Sequence, residues 1–368
     1  MDYTCISDAE TTFLLRALDQ FPKKLARFRQ TCKIHKNPWK TRPIICCAGT
    51  FMNCWSKWLD FWLQKLTDKI PSYLKNGEDC LQDLEPLLLP PNALLFVTDA
   101  NSMYNNIDTA HAIQVITWWL TDLHQKGDLP ADFPLDAVLS AMRIIMMNNV
   151  FEFGDLFFLQ LLGTAMGTSA ACMWATLYFA YHEVHKIIPT HGHNLLYFKR
   201  FIDDICGIWI GNLTTDWNSF CTDIDNFGIL TWDVKQIKPS KTVNFLDMTL
   251  TIANRRIIFT TYQKTMNLHL YIPPMSEHPP GCIRGTIFGL IQRYYKQNTH
   301  QKDFIRYASL LYQRTLERGW SKGHIRDLIL EATARAESKP ADFKPPKDDK
   351  DVQNTLFLHF EFHKDGIS

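Results

Sequence analysis

Residues 198–211 read FKRFIDDICGIWIG, and two adjacent carboxylates, Asp203 and Asp204, interrupt an otherwise apolar, strand-like run. Ile202, Ile205, Ile208, Trp209 and Ile210 are β-formers, and Lys199 and Arg200 stand just before them. Successive side chains on a strand leave opposite faces, so neighbouring aspartates converge on one point only at a turn. The stretch therefore predicts a β-hairpin with Asp203 and Asp204 at its tip. Two like charges so close repel unless a cation lies between them, and Mg²⁺ prefers carboxylate and water oxygens. A solvated turn is the other reading, since Asp is a common turn residue.

The 368-residue chain is long for one domain and suits two or three subdomains around connected cores. Its 46% hydrophobic and 13% aromatic content excludes general disorder. With a net charge of +1, the distribution of charge carries more information than its sum. The ten cysteines contain no C-x-x-C pair, and Cys46 and Cys47 are adjacent, so neither zinc spacing nor a secreted disulfide framework is indicated. Reduced thiols in an intracellular protein are expected. The opening MDYTCISDAETTF lacks a basic segment followed by an apolar core, so no signal peptide is expected.

Between Asp155 and Glu183 lies the uncharged run LFFLQLLGTAMGTSAACMWATLYFAYH, long enough by count to cross a membrane. Gln160, Gly163, Thr164, Gly167, Thr168 and Ser169 make its centre small and polar, which argues against a span. FEFGDLFFLQ reads as a hairpin around Gly154-Asp155, so the run divides into strand, glycine-containing loop and a buried helix from Ser169 to His185. Elsewhere, residues 9–30 suggest a helix broken at Pro22, and 33–45 two extended pieces around Asn37-Pro38. Helices are expected over 51–66, 110–123 and 283–333, a strand over 93–98, and alternating strands over 228–272. ESKPADFKPPKDDK (337–350) reads as a linker, and the strand-like TLFLHFEF beyond it suggests a chain cut from a longer one.

Asp99, in LLFVTDANSMYNNID, ends an apolar strand, a recurrent place for a catalytic acid. Joined to Asp203 and Asp204 it would complete the carboxylate cluster that two-metal phosphoryl transfer needs. A helix N-cap is its alternative role. KKLARFRQTCKIHKNPWKTR (23–42) carries eight cations and no acid, with Ile34 and Trp39 interleaved. Such an ordered basic surface attracts phosphates.

Six blocks occur in order: KIHKNPWKTRPII, FVTDANSMYNNI, QLLGTAMGTSAA, RFIDDICGIW, VNFLDMTLTI and SEHPPGCIRGTIFGLIQRYY. Over residues 30–310 the chain resembles the reverse transcriptases of Penelope-like retroelements, relatives of telomerase. It departs from many members in having no large region before the first block and no GIY-YIG endonuclease after the last.

The resemblance implies an α+β right-hand polymerase with fingers, an antiparallel-sheet palm and a helical thumb. Residues 1–92 would be fingers and N-terminal helices, 93–272 palm with finger insertions, 273–335 thumb, and 336–368 linker and the start of a truncated segment. Asp99, Asp203 and Asp204 would be the catalytic acids, holding two Mg²⁺ (or Mn²⁺) ions with the carbonyl of Ala100. Lys33, Arg42, Tyr104, Gln160 and Gly167 would meet the nucleotide, with Tyr104 the gate against a 2′-hydroxyl or, compatibly, a buried aromatic. The loop glycines would allow close backbone approach. Lys36, Phe245, Leu246, Asp247, Ser276, His278 and Arg293 would contact template and primer. The implied partners are an RNA template, a DNA primer and dNTPs, with no membrane and a nuclear location. A catalytically inactive nucleic-acid-binding remnant and an RNA-dependent RNA polymerase are the alternatives.

Overall fold

The computed structural model describes residues 6–20, 24–33, 38–279 and 281–338. Lys23, Lys36, most of the 337–350 segment and TLFLHFEF lie outside the described residues. In chain order the elements are α1 (Asp8–Gln20), β1 (Ala26–Lys33), β2 (Lys40–Cys46), α2 (Phe51–Gln64), α3 (Gly77–Leu84), β3 (Leu94–Asp99), α4 (Thr109–Gln125) and α5 (Leu135–Met147). They continue with β4 (Val150–Phe153), β5 (Leu156–Leu159), α6 (Ala171–His182), α7 (Ile188–His191), β6 (Leu195–Phe201), β7 (Asp204–Trp209) and α8 (Thr215–Ile224). Last come β8 (Thr242–Phe245), β9 (Met248–Ala253), β10 (Arg256–Thr261), α9 (Cys282–Gln297), α10 (Gln301–Glu317) and α11 (Lys322–Ser338). Two compact units result: residues 1–246 with 251–257, and residues 247–250 with 258–368.

In the first unit, the helix expected over 9–30 stops at Gln20, and its second half is strand β1, paired antiparallel with β2. The reason is a period of two: Ala26 and Phe28 turn inward against Ile45, Cys47 and Ala165, while the intervening arginines turn out. The sheet runs β2-β1-β4-β5, with β4 parallel to β1 and antiparallel to β5 across the Gly154-Asp155 turn.

A second, fully antiparallel sheet has the order β3-β7-β6. Phe96 of β3 lies opposite Gly207 of β7, and its ring fills the space a Cβ on that glycine would need. The same ring meets Trp217 and Phe220 of α8 at centroid distances of 5.1 and 5.5 Å. Helix α2 starts at Thr50, whose hydroxyl accepts the Asn53 amide at 3.2 Å, and buries Trp58, Leu59, Trp62 and Leu63. Helix α6 is apolar and buried on nearly every side, which is why its sequence carries no charge. No helix among the described residues is long and apolar enough to cross a membrane.

In the second unit, α9, α10 and α11 share a core of Ile283, Ile287, Ile291, Tyr294, Phe304, Leu311, Ile325 and Leu328. The α9 members recur at helical spacing on one face. Asn298, just past α9, accepts the Thr261 amide at 2.9 Å and donates to the Tyr294 carbonyl at 2.7 Å, closing the helix end.

Candidate active site

The carboxylates come together through strand register. Phe201 pairs with Asp204 across the β6–β7 hairpin, so Ile202 and Asp203 are the two turn residues and Asp204 is already in the strand. The tip thus falls one residue earlier than Asp203-Asp204. Ile202 has φ 55°, a strained conformation for a β-branched residue, whereas Asp203 does not share it. On the other side of β7, Asp204 is the direct partner of Asp99 at the end of β3, so both side chains leave the sheet on one face. The Ala100 amide donates to the Asp203 carbonyl at 2.9 Å, tying the turn to the residue after Asp99. Asp99 is exposed and Asp203 and Asp204 are half-buried. Asp99 is not a helix cap: α4 is capped by Asp108, whose carboxylate accepts the His111 amide at 3.1 Å.

Among the described residues no three His, Cys, Asp or Glu side chains form a ready-made metal cage. The donor set still fits Mg²⁺, which is commonly held by one or two carboxylates and completes its shell with water and substrate phosphate oxygens.

Tyr104 follows in the turn Met103–Asn105, and its hydroxyl lies 3.2 Å from the Cys172 sulfur at the start of α6. Burial, the Cys172 thiol and the charge of Asp203 together push the phenol well above its ordinary pKa, so it stays protonated at neutral pH.

The loop from 160 to 170 joins β2 to the turn that carries Tyr104. A Cβ on Gly163, at φ 79°, would sit 2.5 Å from the Tyr104 carbonyl oxygen, and one on Gly167, at φ 127°, would overlap the Ile45 carbonyl oxygen. The Ile45 amide donates to the Met166 carbonyl at 2.8 Å, and the Thr164 amide to the Tyr104 carbonyl at 2.6 Å. The close backbone approach that these glycines allow is made by the chain itself, and Gly167 faces β2. Gln160 donates to the Leu162 carbonyl at 3.0 Å, leaving its Oε1 buried without a hydrogen-bond partner.

Register also sorts the basic run. Thr31 pairs with Arg42 and Lys33 with Lys40, and in alternation Arg27 and Arg29 share their face. Lys33 and Arg42 are therefore diagonal neighbours on a cationic face whose reverse packs on Ala165. Lys36 lies outside the described residues.

The residues assigned to template and primer fall in both units. The Phe245 ring is 1% exposed, so packing consumes it and it has no side-chain surface for a duplex. Leu246 takes φ 52°. Within the second unit Asp247 and Arg293 pair with each other at 3.1 Å, and Ser276 and His278 share a 2.5 Å hydrogen bond.

No family model and no curated protein matches the chain. Solved structures do. The telomerase of Candida albicans in complex with a fragment of telomeric RNA aligns over 88% of this chain and 59% of its own, at 9% identity and TM-score 0.55. The RNA-dependent RNA polymerase of a human picobirnavirus aligns over 84% and 64%, at 11% identity and TM-score 0.55. The Sicinivirus 3Dpol RNA-dependent RNA polymerase aligns over 89% and 71%, at 11% identity and TM-score 0.51. The chain has this α+β polymerase fold. It spans about three fifths of the length of the telomerase it matches.

Proposed function

We propose that this chain is a template-directed nucleotidyltransferase, an RNA-directed DNA polymerase of the Penelope-like kind that extends a primer 3′-hydroxyl with dNTPs. The observation that carries the reading is the register of Asp204 with Asp99, with Asp203 in the adjoining turn. The polymerase fold of the matched structures supports it. Two Mg²⁺ or Mn²⁺ ions held by Asp99, Asp203, Asp204 and the Ala100 carbonyl would supply activation of the attacking hydroxyl and charge neutralisation on the triphosphate. Lys33 and Arg42 offer charge-assisted hydrogen bonds to that triphosphate. Tyr104, half-buried with its hydroxyl against Cys172, would refuse a 2′-hydroxyl by clash.

The likeness to viral RNA-dependent RNA polymerases favours a second reading, in which NTPs are the substrates. The test is extension of a primer on a defined RNA template with Mg²⁺, supplied with dNTPs or with NTPs. DNA synthesis is the expected result. RNA synthesis would establish the second reading, and no synthesis with either set would leave a nucleic-acid-binding remnant.

A further inference from the structure

The strained residue at the tip of the aspartate hairpin is held by an ion pair in the protein interior. Arg200, two residues before Ile202, is 1% exposed, and Glu183 is fully buried. Nε and Nη2 of Arg200 donate to the two oxygens of Glu183 at 2.7 and 2.8 Å, and Nη2 also donates to the Thr176 carbonyl at 2.9 Å. Nη1 donates to the carbonyl of Ile202 at 2.8 Å. Glu183 accepts a further bond from Ser72 at 2.6 Å, and the Ser72 carbonyl accepts the Arg200 amide at 2.7 Å. Glu183 opens a five-residue π-helical stretch, Glu183–Ile187, between α6 and α7.

A buried charge pair costs more to desolvate than its attraction returns unless its hydrogen bonds are nearly complete, and here they are. The one bond that leaves the pair for the hairpin ends on the carbonyl of the residue at φ 55°. Asp203 is next in the chain, and its own carbonyl is the acceptor for Ala100. We propose that Arg200, oriented by Glu183 and Ser72, is a positioning residue that fixes the left-handed turn at Ile202 and so sets Asp203 against Asp99. This rests on the polymerase reading, in which misplacing a catalytic group by about 1 Å costs on the order of 100-fold in rate.

The test is Arg200→Lys, which keeps the charge facing Glu183 but cannot also reach Thr176 and Ile202. The expected result is a kcat roughly 10- to 100-fold lower in primer extension, with KM for nucleotide and Kd for the duplex within about twofold. Hydrogen exchange at the 201–205 amides should be at least about tenfold faster while α2 amides are unchanged. Adding Ile202→Gly should recover about tenfold of the lost kcat, because glycine adopts the turn conformation without a tether. Should Arg200→Lys fail to fold, Ser72→Ala, which removes only the hydroxyl fixing Glu183, carries the same measurements. Unchanged exchange at 201–205, or a folded double variant no faster than Arg200→Lys, would overturn the proposal. A wild-type chain without extension would sink the polymerase reading alone, since exchange reports on the clamp independently.

Discussion

Replacing Gly167 by Ala tests whether the loop glycines serve the chain or a ligand. Gly167 has φ 127°, and its missing Cβ would overlap the Ile45 carbonyl oxygen, a backbone atom that no side-chain rotation can clear. The backbone strain costs about 1–3 kcal/mol. Forcing β2 away from the loop adds about 1–3 kcal/mol, as other overpacking changes do. Restricting the unfolded chain returns about 0.4–1 kcal/mol. The net loss is about 1–6 kcal/mol, and at about 2–4 °C per kcal/mol for a unit of this size the Tm should fall by about 2–24 °C. Gly154→Ala is the control, because Gly154 is also at positive φ (63°) with nothing within 4 Å of the added Cβ. It isolates strain from overlap. Thermal unfolding of the full chain, followed by circular dichroism, should place Gly167→Ala below Gly154→Ala by about 1–3 kcal/mol. Equal Tm values would refute the overlap with Ile45, and an unchanged Tm with nucleotide binding lost would show that this glycine serves a ligand and not the chain.

Asp203→Asn should abolish primer extension while binding of the template–primer duplex, measured by fluorescence anisotropy, changes little, because phosphate contacts dominate that affinity. Lys33→Ala or Arg42→Ala should cost about 2–4 kcal/mol in kcat/KM for nucleotide. Should nucleotide kinetics stay normal while the salt dependence of template binding becomes shallower, the cationic face of β1 and β2 serves the backbone instead. Tyr104→Val should raise rNTP use relative to dNTP use, read as the ratio of the two kcat/KM values. An equal fall for both substrates, with a stability loss of about 3–5 kcal/mol on unfolding, would make the ring a packing element only.

The hairpin was legible because its signal is local: two acids between β-formers, with a turn the only way to bring them together. The helix α6 was legible for a similar reason, since a polar, small-residue stretch separates it from β5 within an otherwise uncharged run. The strand β1 was not. Phe28 and the residues before it fit a helical period in isolation, and only Ile45, Cys47 and Ala165, distant in sequence, make the two-residue alternation the winning one. The pairing of Asp99 with Asp204 is likewise a long-range register, which no local propensity encodes.

The one-residue shift of the turn shows what kind of information the sequence hides. Read by propensity, Ile202 belongs in a strand and Asp203-Asp204 in the turn, because a β-branched side chain disfavours positive φ. The structure places Ile202 at φ 55° nonetheless. A strained residue persists where its surroundings over-determine it. Here the Arg200 guanidinium supplies the holding bond from one side, and the Ala100 amide fixes the next carbonyl from the other. In the sequence Arg200 is only a cation ahead of the acids, and Glu183 only the charge that ends an uncharged run. Their pairing, with no surface exposure to speak of, is what turns an unfavourable local choice into the stable one. Relaxing the turn to Asp203-Asp204 would move Asp204 out of the strand position opposite Asp99, so the strain at Ile202 and the convergence of the carboxylates are two aspects of one geometry.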